Sequence, residues 1–205
     1  LAKQKKYDTH IKSGRFVIEK GMNNNAIINS IRSKNIPVRI SFNNQHDIEK
    51  LAFRLSEQLD FSSNMFLESV LDSSFLASNN FKRETILGMF IPNSYDVYWN
   101  TTPEKFRQKM LKEYLKFWNT SRLNKAKQIG LSPLEVITLA SIVQEESKQI
   151  LEQPTIAGVY LNRLKIKMPL QADPTLKFAL YHQDNYDGKE IKRILNKHKS
   201  IESPY

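Results

Sequence analysis

The chain has 205 residues, of which 40% are hydrophobic and 25% are charged, so its composition suits a folded protein with a sizeable core rather than a disordered one. It contains no cysteine, which excludes disulfides and thiolate chemistry, and no run of about 20 apolar residues that could cross a membrane. The net charge of +10 is spread along the chain and interleaved with acids. This distribution indicates a solvated basic surface that tolerates anionic polymers, and no nucleic-acid-reading motif accompanies it.

The beginning of the chain is predicted to form a small strand-helix-strand unit. Residues 15–18 have an extended pattern, and asparagines at positions 23–25 cap a helix with an isoleucine stripe. Pro37 then leads into residues 38–42, whose alternation of polar and apolar side chains is typical of a half-buried strand.

Helices are predicted to dominate the middle of the chain. One has the apolar stripe Ile48, Leu51, Ala52, Leu55 and Leu59, and a shorter helical pattern follows around Phe66. An aromatic, proline-containing segment at 90–99 leads to a long helix that begins at Pro103 and has a broad aromatic face, which is usually core. A short helix then runs toward Gly130, and no internal repeat is present. The predicted fold class is therefore α+β, with mostly helices and short strands.

A strong helix start precedes the segment that can carry chemistry, because Ser132 can cap it, Pro133 fits the first position and Glu135 can complete a capping box. The helical period then places an acid on an apolar stripe, which comprises Leu139, Ile142, Val143 and Glu146. A carboxyl group in partly apolar surroundings keeps its proton more readily, as the general acid of glycosidic cleavage must. On spacing alone a simpler interpretation is favoured, in which Glu146 ends the helix or pairs with Lys148.

A second helix is predicted to start at Pro154, with the packing side Ile156, Val159, Tyr160 and Leu164. Asn162 and Arg163 lie near its end. Arg163 either complements the helix dipole or, together with Asn162, faces the same cleft as Glu146 and holds polar groups of a substrate. The sequence leaves both interpretations open.

An extended segment follows and turns into another helix. Asp173 precedes Pro174, and the simplest interpretation of Asp173 is an N-cap. Gln171 alternates with Leu170, so the Gln171 amide is expected on the opposite face, toward the cleft.

Three ordered blocks, LASIVQEES at 139–147, AGVYLNRL at 157–164 and LQADPT at 170–175, closely resemble the YceG-like endolytic murein transglycosylases. FIPNSY at 90–95 is similar to a further element of that family, and Gly14-Arg15-Phe16 with Gly21-Met22 is similar to its LysM-like module. The resemblance spans nearly the whole chain. It implies a LysM-like module at residues 1–37 and a catalytic domain at residues 38–205 that is incomplete at its C-terminal end.

The resemblance also implies a site. The family's catalytic glutamate falls on Glu146, and the first acid of the family's Glu-x-Glu pair is replaced by Gln144. The substrate-binding residues expected beside Glu146 are Asn162, Arg163, Gln171 and Asp173. Other acids have simpler explanations, Glu145 as a solvated acid and Asp184 as a loop acid. No metal and no cofactor are expected.

The implied reaction is nonhydrolytic cleavage of the β-1,4 bond between N-acetylmuramic acid and N-acetylglucosamine in nascent peptidoglycan. It would leave 1,6-anhydromuramic ends and limit glycan strand elongation, and the alternative function is that of a noncatalytic peptidoglycan-binding scaffold. The implied partners are peptidoglycan strands and peptidoglycan synthases (penicillin-binding proteins), with no nucleic acid. The implied location is the bacterial inner membrane, with a single-pass anchor outside this sequence and the catalytic domain in the periplasm.

Overall fold

The computed structural model describes residues 1–183, 186, 191 and 193–203, and it confirms the predicted α+β class. The chain divides into two compact units, Leu1–Asn119 and Thr120–Tyr205. The boundary that the sequence predicts, between residues 37 and 38, lies inside the first unit.

The first unit contains five helices and two strands among the described residues: α1 (Asn24–Ser33), β1 (Val38–Phe42), α2 (Ile48–Ser56), α3 (Ser63–Val70), α4 (Ser73–Ser78), β2 (Asn93–Val97) and α5 (Pro103–Phe117), with a 3-10 turn at Ile86–Met89. The strands β1 and β2 pair antiparallel, from Val38 opposite Val97 to Phe42 opposite Asn93. Polar side chains begin most of these helices, as Asn23 does for α1 and Asp47 for α2, because each accepts a hydrogen bond from a backbone N–H of the first turn.

The strand predicted at residues 15–18 is wrong, since the structure has no strand there. The backbone of this segment instead makes single hydrogen bonds to the end of α1 and the residues after it. The carbonyl of Arg15 accepts from the Ile36 N–H at 2.8 Å, and the carbonyl of Val17 accepts from the Ser30 hydroxyl at 2.9 Å. These backbone groups therefore bond to single partners and not to a neighbouring strand, so no ladder forms.

The core of the first unit is aromatic. The ring of Phe66 is fully buried, and rings of Phe61, Phe90 and Phe106 lie within 6.0 Å of it, centroid to centroid. The apolar face predicted for α5 is buried at Phe106, Met110 and Tyr114, so its aromatic residues are core, as the sequence predicts.

The second unit is helical: α6 (Thr120–Gln128), α7 (Pro133–Glu146), α8 (Gln153–Lys165) and α9 (Asp173–Tyr181), followed by a 3-10 turn at Asn196–Ser200. Gly130 adopts a φ of +75°, which lets the chain turn between α6 and α7 at little cost. A small apolar cluster holds α7, α8 and the start of α9 together, and its buried members are Leu139, Val143, Tyr160 and Ala172. Within the described part of the chain, no single helix is long and apolar enough to cross a membrane, and α6 with α7 would reach that length only across a bend of 74°.

Candidate active site

The start of α7 fixes the register that places Glu146. The Ser132 N–H donates to a carboxylate oxygen of Glu135 at 2.7 Å, and the Glu135 N–H donates to the Ser132 hydroxyl at 3.3 Å. Hydrogen bonds from the Ser132 backbone N–H and side chain to the Glu135 carboxylate stabilise its ionised form and lower the pKa of Glu135 below its ordinary value. The predicted capping box is therefore confirmed.

The apolar stripe of α7 is buried as the sequence predicts, except at its last position. Leu139 and Val143 belong to the buried cluster, and Ile142 packs against it. Glu146 is the last residue of α7 and is exposed, because the chain becomes extended at Ser147 and the stripe ends there. The carboxylate thus lies at the solvent edge of the cluster rather than among apolar side chains.

The connection between α7 and α8 is tied together by Ser147. Its hydroxyl donates to the Glu152 carboxylate at 2.6 Å and accepts from the Gln149 N–H at 3.0 Å, while its carbonyl accepts from the Gln153 side chain at 3.2 Å. These bonds hold the start of α8 close to the end of α7. They therefore restrict where the backbone of Glu146 can lie.

The lysine that could have paired with Glu146 is engaged elsewhere. The Lys148 ammonium group lies 2.8 Å from a carboxylate oxygen of Glu145, and both side chains are largely exposed. Glu145 is thus a solvated acid with its own partner, as the sequence predicts. The Glu146 carboxylate lies near a different group.

That group is Tyr160 of α8. Tyr160 is only 4% exposed and lies in the apolar cluster, and Glu146 is near enough for its negative charge to raise the pKa of the Tyr160 hydroxyl. Burial raises the pKa of Tyr160 most, the charges of Glu146 and Asp173 raise it further, and the Arg163 charge opposes them. Three charged side chains therefore lie near enough to the Tyr160 hydroxyl to act on it: Glu146, Arg163 and Asp173.

Arg163 lies one turn after Tyr160 on α8 and is half-buried. Its guanidinium donates to the carbonyl of Leu170, and this bond connects α8 to the segment that leads into α9. In that segment Gln171 is exposed while Leu170 packs against the cluster, so the predicted alternation is confirmed. Gln171 has a φ of +51°, in the left-handed region that residues other than glycine seldom occupy.

Asp173 is not the N-cap of α9, because the helix includes Asp173 as its first residue and Ala172 occupies the cap position without a side-chain bond. Asn162 is exposed, and at 100° per residue it lies about 200° around α8 from Tyr160, away from the polar group that Tyr160 joins. The packing side of α8 also differs from the prediction, since Val159 and Leu164 are exposed, at 46% and 41%.

Tyr160 is the residue that sequence reasoning missed, because its place on an apolar stripe predicts packing alone. A buried tyrosine hydroxyl nevertheless needs a partner, and this requirement is the signal that could have drawn attention to it. Asp184 lies outside the described residues. In the part of the chain that the structure describes, no group of three or more histidines and acids is arranged to hold a metal ion.

The YceG-like family model matches residues 1–205. The chain belongs to the YceG-like family. A crystal structure of a yceG-like protein from Listeria monocytogenes superposes with a TM-score of 0.67 at 22% identity, covering 98% of this chain and 69% of that one, which supports the fold.

Two relatives are named endolytic murein transglycosylase. The protein from Bacillus subtilis is 26% identical over 212 residues, which cover 94% of this chain and 56% of the relative. The protein from Streptococcus pneumoniae strain D39 is 24% identical over 209 residues, which cover 87% of this chain and 37% of the relative. The chain thus spans about half the length, or less, of these curated relatives.

Proposed function

We propose that this chain carries the catalytic site of an endolytic murein transglycosylase and that Glu146 is its acid/base. The observation that carries the proposal is the placement of an exposed carboxylate at the end of α7, beside the polar side chains of α8 and α9, in a member of the YceG-like family. The names of the relatives from Bacillus subtilis and Streptococcus pneumoniae support the reaction class.

In the proposed reaction Glu146 first donates its proton to the glycosidic oxygen between N-acetylmuramic acid and N-acetylglucosamine. The bond from C1 to that oxygen breaks, and N-acetylglucosamine leaves with a new hydroxyl. The Glu146 carboxylate then accepts the proton of the muramic C6 hydroxyl as the C6 oxygen forms a bond to C1. The carboxyl group regains its proton, no water is consumed, and the product has a 1,6-anhydromuramic end.

This scheme requires one carboxylate, whereas an ordinary glycosidase uses two. Exposure leaves the Glu146 carboxyl group open to a polymer in solvent, but it does not provide the apolar surroundings from which the sequence predicted a protonated acid. Gln144 stands where the family pattern has an acid, and in the proposed scheme that position carries no proton. Arg163, Gln171 and Asp173 are the proposed polar contacts to the sugar or its peptide, and Asn162 is a further candidate at the outer side of α8.

The site of action that we propose is the cell wall, because its substrate is there. Membrane anchoring on the periplasmic side of the inner membrane, the limiting of strand elongation and work beside peptidoglycan synthases are expectations that follow from the family resemblance. They belong to the whole protein, of which this chain spans a part.

The test is digestion of purified peptidoglycan with the protein, followed by chromatography and mass spectrometry of the products. We expect muropeptides that are one water lighter than hydrolytic products, and their loss in Glu146→Gln. Glu145→Gln is the matched control, since it removes the same charge from the adjacent exposed residue, and it should retain activity.

Two results would contradict the proposal. Reducing-end muramic acid products would indicate a hydrolytic muramidase and a second carboxylate. Binding of peptidoglycan by the wild-type protein without any cleavage would instead favour the noncatalytic scaffold.

A further inference from the structure

A cleft in the first unit is rich in acids, although the chain as a whole is basic. It has a volume of about 650 Å³ and is lined mainly by α3, by the start of α5 and by the segment before each of these helices. Four of its lining residues are acids and one is basic: Asp60, Glu68, Asp72, Glu104 and Arg107. Since the chain has a net charge of +10, the cleft is a local exception in which a cationic group is attracted.

Two of these acids have a structural role. Asp72 caps α4, because its carboxylate accepts from the Phe75 N–H at 2.8 Å. Glu104 lies in the first turn of α5, where negative charge complements the helix dipole. Asp60 and Glu68 have no such role: both are exposed, and within the described part of the chain neither carboxylate forms a hydrogen bond or an ion pair.

The guanidinium of Arg107 is held in place beside these acids by two uncharged contacts. It donates to the backbone carbonyl of Ser69, and its central carbon lies 4.1 Å from the centroid of the Phe75 ring. Arg107 is half-buried and forms no ion pair with any acid that the structure describes. A guanidinium has more N–H donors than these contacts use, so a fixed cation with spare donors lines the cleft.

Ser69 gives independent evidence for a ligand. It lines the cleft and is only 7% exposed, and its hydroxyl oxygen is buried without a hydrogen-bond partner among the described residues. The Nε atom of Arg107, which lines the same cleft, is buried without a partner in the same sense. Because buried polar atoms in folded proteins almost always have a partner, two such atoms at one cleft indicate that a polar ligand binds there.

The charges of the cleft select a ligand that carries both signs. Asp60 and Glu68 attract an ammonium group, whereas the guanidinium of Arg107 binds a carboxylate through paired hydrogen bonds. An anion alone would be repelled by the four acids that line the cleft. The side chains of Phe61 and Met65 add apolar surface that suits the aliphatic part of an amino acid.

We propose that this cleft binds the end of a peptide that carries a free ammonium group and a free carboxylate. The ammonium group lies at Asp60 and Glu68, and the carboxylate lies at Arg107. The site belongs wholly to the first unit and does not rest on the function proposed for Glu146. Peptides of the cell wall and peptides of ordinary proteins share this chemistry, but cell-wall peptides also contain D-amino acids.

Titration of the protein with dipeptides tests the site. The probes are L-lysyl-D-alanine and L-lysyl-L-alanine, and the reporter is the carbon-13-labelled methyl group of Met65, which lines the cleft and is 52% exposed. We expect a saturable shift of the Met65 signal with a Kd on the order of 1 mM, about threefold weaker in about 0.5 M sodium chloride. The Met168 signal is the internal control, because Met168 is exposed in the second unit and should not shift.

The two probes also distinguish the sources of the peptide. Tighter binding of the D-alanine probe would identify a cell-wall peptide, and equal or tighter binding of the L-alanine probe would identify a protein segment; both results support the site. A probe with acetylated amino groups and an amidated carboxyl group should not bind. Absence of a saturable shift with both charged probes, or equal binding of the uncharged probe, would overturn the proposal.

Charge-removing variants test the residues. Asp60→Asn and Glu68→Gln each keep the shape of the side chain and remove one charge, so each should raise the Kd of the dipeptide about three- to fivefold. Both side chains are exposed, so the far-UV circular dichroism spectrum should be unchanged. Glu84→Gln is the matched control, since Glu84 is an exposed acid of the same unit outside the cleft, and its Kd should equal that of the wild type. Equal Kd values in all three variants would overturn the assignment of the ammonium position.

The outcomes separate this inference from the proposed function. Glu146→Gln should bind the dipeptide with the Kd of the wild type, because Glu146 lies in the other unit. If the dipeptides do not bind but the protein releases anhydro products from peptidoglycan, the peptide site is overturned and the proposed function stands. If the dipeptides bind but no cleavage occurs, the proposed function fails and the peptide site stands.

Discussion

The stability of the candidate site depends on a small apolar cluster, and Leu139 is the residue through which this dependence can be measured. Leu139 is 8% exposed and packs with Val143, Tyr160 and Ala172. Leu139→Ala removes three carbon groups, and at about 0.8 kcal/mol for each buried group the transfer term is about 2.2 kcal/mol after discounting the exposed fraction. The cavity left behind adds to this loss, so we expect a fall in the free energy of unfolding of about 2.5 to 4 kcal/mol.

Urea unfolding followed by far-UV circular dichroism measures this loss. With a denaturant slope of about 2 kcal/mol per M, the midpoint should fall by about 1.2 to 2 M. Leu151→Ala is the matched control, because Leu151 is 94% exposed in the connection between α7 and α8, and its change should stay within about 0.5 kcal/mol. Equal midpoints for the two variants would refute the reasoning, as they would show that burial of Leu139 does not stabilise the unit.

Three further predictions concern caps, backbone and pH. Ser132→Ala should cost about 1 kcal/mol in urea unfolding, because it removes the cap of α7. The pKa of Glu135 is lower in the folded protein than its ordinary value of 4.5, so the ionised carboxylate stabilises the fold at pH values above 4.5. This stabilisation is lost as the pH falls through the folded-state pKa. The thermal midpoint of Glu135→Gln should therefore change less between neutral and acidic pH than that of the wild type. Gln171→Gly should keep the free energy of unfolding or raise it by up to about 1 kcal/mol, because glycine accepts the positive φ at this position. Turnover of peptidoglycan should fall if the Gln171 amide binds substrate. A loss of stability equal to that of Leu139→Ala would contradict the first expectation.

Much of the local structure could be predicted from the sequence, since its causes lie within a few residues. The capping box at Ser132 and Glu135 joins positions three apart, and the register of α7 up to Glu146 follows from it. The alternation of Leu170 and Gln171 is local in the same sense. A local pattern is not sufficient for a strand. Residues 15–18 have an extended pattern but form no strand, because a strand also needs a neighbouring strand with which to pair.

Packing between helices decided the rest. The sequence places Tyr160 on an apolar stripe and Glu146 at the end of another, but their proximity results from the packing of two helices, whose connection Ser147 ties together. The same packing leaves Val159 and Leu164 exposed, and it brings the charges of Arg163 and Asp173 near one hydroxyl. The sequence by itself thus determined which carboxylate ends α7, while only the tertiary structure decided which side chains lie near it, because that depends on the packing between helices and not on the period within one.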